Sequence, residues 1–153
     1  MDNADRSLLT DLRHALLRLH KTLLDWERAA YERVHGRTTG HNLFQAILTD
    51  PQFAWLRPLS ELIVRIDEML EREAPDVPDD VSAIVAQARA LVSPGEAGSY
   101  AQRYHTALQD HPDAVFAHRD VAQVLKKNPD AAVSSQRLHG ETGFHFLGGS
   151  RRK

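Results

Sequence analysis

From Leu9 onward the apolar positions fall at Leu12, Leu16, Leu19, Leu23, Trp26 and Ala30, in alternating steps of three and four residues. That spacing lays one stripe along a helix, and Leu8, Leu17, Leu24, Tyr31 and Val34 widen it enough to meet more than one neighbour. The pattern predicts a helix from about Asp5 to His35, stopped by Gly36, the residue best able to adopt the left-handed conformation past a helix end. Such a helix spans about 45 Å at about 1.5 Å per residue.

The stretch GRTTGHN reads as a turn, followed by a short helix around Leu43 to Leu48 begun by His41 or Asn42. Asp50 and Pro51 then form a capping residue and a proline at the first helical position. Phe53, Leu56, Leu59, Ile63, Ile66 and Leu70 carry helical spacing on to about Glu73. Pro58 interrupts this run, and because it has no N–H for the carbonyl of Ala54 a kink is expected there.

EREAPDVPDD predicts an acidic loop ending in an aspartate cap at Asp79 or Asp80. Val81, Ile84, Val85, Ala88, Leu91 and Val92 form the stripe of the next helix, which SPGEAG breaks. A further helix carries Ala97, Ala101, Tyr104 and Leu108 to Asp110. The last begins at Pro112 and Asp113 and closes at Lys126 and Lys127, with Pro129 beyond it as a stop signal.

No strand pattern and no internal repeat interrupts this series, so the fold class is all-α. The lengths suit an up-and-down bundle of about four main helices with short accessory ones, residues 1–128 forming a single domain. Residues 129–153, with Gly140, Gly143, Gly148, Gly149 and a basic end, read as a flexible tail. The later helices look too short to cover the first, and burying its unmatched end makes a homodimer the expected assembly.

A chain of 153 residues buries about 70% of the surface of its unfolded form, so a core forms without covalent staples. There is no cysteine, which excludes disulfides, thiolate metal sites and thiol nucleophiles. The N-terminal stretch lacks the basic start and apolar run of a secretion signal, and charges interrupt every apolar stretch short of the length that crosses a bilayer, so a cytoplasmic location is expected. Six basic and six acidic residues over positions 1–36 also speak against a membrane-surface role for the first helix. The net charge of -2, carried as -4 over residues 1–127 and +2 over 128–153, gives no patch for nucleic acid.

Glu32 and His35 have the Glu-x-x-His spacing with which helical di-iron bundles aim two ligands at one ion. A second copy is missing, since Gln102 stands where His105 would need an acid and Glu141 is four residues before His145. His35 in a last turn is also favoured by the helix dipole without any metal. A second set joins His20 and Glu27 on one flank of the first helix to Asp67 and His118 on others, ligand types suited to zinc, iron or manganese. Haem held by histidine is a related alternative, although no Cys-x-x-Cys-His is present.

Glycine loops for phosphate and the Gly-x-Ser-x-Gly elbow are both absent, so hydrolase and nucleotide chemistry are not expected. Ser60 reads as a small packing residue. Trp26, Phe44, Phe53 and Trp55 form an aromatic set that is either core or the wall of a ligand or partner groove. The expectation is a non-enzymatic protein-interaction or small-ligand-binding module, with metal or haem binding as the alternative.

Overall fold

A computed structural model describes residues 2–72 and 78–128, the side chains of 78 and 79 apart. The expected tail and most of the acidic loop lie outside the described residues. Those described form six α-helices and one 3₁₀ helix, with no strand among them. Helix α1 spans Asn3–His35, α2 Gly40–Thr49, α3 Arg57–Glu71, α4 Pro78–Val92, α5 Ser99–Asp110 and α6 Pro112–Lys127, and the 3₁₀ helix covers Pro51–Leu56.

Side-chain oxygens start the elements as the capping rule requires. Asp2 accepts from the Asp5 amide at 2.8 Å, and Asp50 accepts from that of Gln52 at 2.9 Å. Thr39, ahead of the residues expected to start α2, accepts from Asn42 at 3.4 Å. Gly36 ends α1 at φ 81°, ψ 173°.

The break expected at Pro58 takes a different form from a kinked α-helix. The Ala54 carbonyl, which proline cannot serve, instead accepts from the Arg57 amide three residues on, and the segment before it winds as a 3₁₀ helix. Pro58 then sits in the first turn of α3, where a missing N–H leaves no bond unmade.

Helices α1, α3, α4 and α6 close a four-membered ring, each packed on the next. Their directions alternate. Arg6 donates to the Leu70 carbonyl and Arg13 pairs with Asp67, which sets α3 antiparallel to α1. Arg65 bonds Gln87 and Arg72 pairs with Asp80, which turns α4 back again. Trp26 reaches Asp110 just ahead of α6 while Arg18 reaches Asp120, so α6 also runs against α1.

Inside the ring Leu9, Leu12, Leu16, Leu19 and Leu23 of α1 are fully buried against Leu59, Leu62 and Ile66, Ile84 and Val85, and Val121. Ala114 and Ala117, also buried, let α6 approach closely. Helix α1, at about 50 Å by its rise per residue, outreaches the others. Its final turn carries Val34, 77% exposed. None of the described helices is long and apolar enough to cross a membrane.

Candidate functional site

Glu27 is the one charged residue buried as a whole among the described residues, with no solvent exposure. It lies on the leucine stripe of α1, four residues past Leu23, so folding carries it inward with its neighbours. Four hydrogen bonds receive it there. Arg103 of α5 donates to both oxygens at 2.7 Å, Trp55 Nε1 to Oε2 at 2.6 Å, and Gln52 Nε2 to Oε1 at 3.0 Å.

The Arg103 guanidinium also stacks over Trp26 at 4.8 Å, and Trp26 meets Trp55 edge to face at 6.5 Å while donating to Asp110 at 2.7 Å. These groups tie α1, the 3₁₀ helix and α5 together. A carboxylate so fully occupied by donors is the anchor of a structural network.

The other residues considered as metal ligands stand apart from it. Asp67 pairs with Arg13 on the α1–α3 face. Glu32 accepts from the Thr38 amide at 3.4 Å and faces Arg28 at 3.6 Å, while the His35 ring stacks on Tyr31 at 4.1 Å with its Nδ1 3.1 Å from the Tyr31 carbonyl. His20 and His118 line separate cavities. Among the described residues no three or more histidine, aspartate or glutamate side chains gather where they could hold a metal ion.

His118 belongs to a second polar group. Tyr104, fully buried, has its hydroxyl 2.8 Å from His118 Nδ1, and burial first, then Tyr100, pushes the phenol up so that it stays protonated. Burial, helped by His105, lowers the pKa of His118 below 6.5. His105 itself donates from Nε2 to the Gly95 carbonyl at 2.6 Å. The open depression beside them, about 530 Å³, is lined mainly by Ser93, Glu96, Leu108 and these two imidazoles.

A smaller cleft of about 300 Å³ lies between α1, α2, the 3₁₀ helix and α3. Its walls are Leu24 of α1, Ile47 and Leu48 of α2, and Phe53 and Leu56 of the 3₁₀ helix. Three polar side chains face it: His20, Arg57 and Ser60. Among the described residues the His20 ring makes no hydrogen bond and Arg57 no ion pair, whereas Ser60 Oγ donates to the Arg57 carbonyl at 3.0 Å and keeps its lone pairs. Burial lowers the His20 pKa below 6.5, so its ring is neutral near pH 7 with one N–H to give.

Another cavity, beside Trp55 and Arg103, is larger at about 640 Å³, but its Arg103 and Gln52 are already spent on Glu27. The smaller cleft therefore keeps unspent recognition groups over apolar walls, which is the usual make-up of a small-molecule site. Apolar surface continues outside it, since Leu48 and Phe44 of α2 are 55% and 58% exposed and lie one turn apart. Leu17 of α1 and Val64 of α3, the two helices that the Arg13–Asp67 pair joins, are exposed as well.

The aromatic set thus divides. Phe53 is buried and floors the cleft, Phe44 stands exposed on α2, and Trp26 and Trp55 belong to the Glu27 network. Arg57, Ile47 and the site-facing role of Ser60 had no signal in the sequence beyond residue type. Comparison with protein-family models, curated proteins and solved structures finds no match to this chain.

Proposed function

We propose that this chain is a cytoplasmic, non-enzymatic binding module that takes a small, largely apolar ligand in the cleft between α1, α2, the 3₁₀ helix and α3. One observation carries the reading: His20 and Arg57, without side-chain partners among the described residues, face an apolar concavity of about 300 Å³. A polar group left unmatched at a concave apolar wall is placed to orient a guest rather than to hold the fold.

The test is titration with a neutral naphthylamine dye whose emission rises in apolar surroundings. Saturable binding of one dye per chain, weakened at least fivefold in Leu24→Gln and unchanged in Val115→Gln on the exposed face of α6, is the expected result. Absence of saturable binding, or equal loss in both variants, would remove the reading.

A second reading is self-association, supported by Val34, Phe44 and Leu48, which leave apolar surface open where α1 and α2 extend beyond the ring. A homodimer burying that end sediments as one species of twice the chain mass at micromolar concentration and dissociates in Phe44→Asp. A monomer at all concentrations would rule it out.

A further inference from the structure

We infer that the guest of this cleft is a free medium-chain carboxylate, its head group held by Arg57 and His20 and its hydrocarbon tail laid along Leu24, Phe53 and Leu56. This rests on the binding role proposed for the cleft and adds the chemistry of the ligand.

The charge of the lining selects the head group. No acidic residue lines the cleft; its polar members are a guanidinium, a hydroxyl and an imidazole. A cationic ligand would meet Arg57 with no counter-charge, whereas a carboxylate offers two oxygens to two donors. The guanidinium supplies a fork of N–H groups matched to a carboxylate, and the imidazole supplies one more. Arg57 is exposed and free of any ion pair among the described residues, so no existing bridge has to break when the ligand arrives.

The volume selects the tail. At about 30 Å³ for each water-sized group, a cleft of about 300 Å³ accepts about ten such groups, a chain of roughly eight to ten carbons. Longer chains run out over Leu48 and Phe44, which are already exposed. Apolar contact holds such a tail in proportion to the area it withdraws from water, and the head group then sets which amphiphile is preferred.

Isothermal titration calorimetry of the full chain with decanoate, 1-decanol and decyltrimethylammonium, each below its micellar concentration, tests the inference. The expected result is one decanoate per chain, bound about tenfold or more tighter than the alcohol, with the ammonium weakest. Arg57→Gln lies on exposed surface and should bring decanoate down to the affinity of the alcohol while leaving the alcohol unchanged; His20→Leu should do part of the same. Decanoate binding no tighter than decanol, or unaffected by Arg57→Gln, overturns the carboxylate assignment while leaving the cleft a binding site. Failure of all three amphiphiles to bind overturns the cleft reading itself, and the carboxylate with it.

Discussion

Replacing Arg103 with methionine should expose how much the fold depends on the buried carboxylate of Glu27. The substitution keeps an unbranched stem but removes the cation that, alone among the described residues, reaches a side chain with no solvent exposure. Breaking one side of a buried ion pair costs about 3–5 kcal/mol, because the remaining charge is left in a medium that solvates it poorly. Trp55 and Gln52 still donate to Glu27, and the Arg103 side chain is 40% exposed, so water reaches its end of the pair.

These features put the expected loss at the low end, about 3 kcal/mol. For a chain of this length that lowers the melting temperature by about 6–12 °C. Urea unfolding followed by far-ultraviolet circular dichroism measures it without relying on the tryptophans that the change disturbs. In a Glu27→Gln background the same Arg103→Met substitution should cost only about 1 kcal/mol, the stacking over Trp26, since no charge remains to be stranded. The difference is a coupling of about 2 kcal/mol. A loss below 0.5 kcal/mol for Arg103→Met, or strictly additive losses in the double variant, would refute the view of Glu27 as a charge that needs Arg103.

Other perturbations reach different parts of the molecule. His20 and His118 both have pKa values held below 6.5, so the folded state favours their neutral forms; their stabilisation is complete above that pH and is lost as pH falls through the folded pKa values. Melting temperature should therefore drop between pH 7 and pH 5, less steeply in a His20→Gln, His118→Asn double variant; equal slopes would contradict the assignment. Gly36→Ala meets no atom within 4 Å but forces a side chain into a backbone conformation open mainly to glycine, and a loss of about 1–3 kcal/mol should appear in thermal melts. Leu16→Ala, in the fully buried stripe of α1, should cost about 2–5 kcal/mol in the same assay, and a smaller value would mean that the ring collapses around the gap.

The helices were legible because each one must bury a stripe and end on a recognisable residue. The three-and-four spacing of the leucines in α1 names the residues that are fully buried, and Gly36, Pro112 and the lysines before Pro129 mark ends that need no partner to be read. Pro58 announced a break, although its form depended on which amide could reach the Ala54 carbonyl. Glu27 was visible as an acid on the flank of that first helix. Reading it as a possible ligand followed from its type, because a carboxylate in a core needs a cation, and a sequence offers metals and arginines alike.

What selected arginine was contact across the fold. Arg103 stands 76 residues from Glu27, and nothing local to either residue encodes the meeting. The cleft has the same origin: Leu24, Ile47, Phe53, Leu56 and Arg57 come from four elements, and their convergence depends on the order and direction of the helices around α1. Periodicity is a property of one helix and survives in the sequence. Sites made between helices depend on which faces are left unmatched once the ring has closed, and only the tertiary structure decides that.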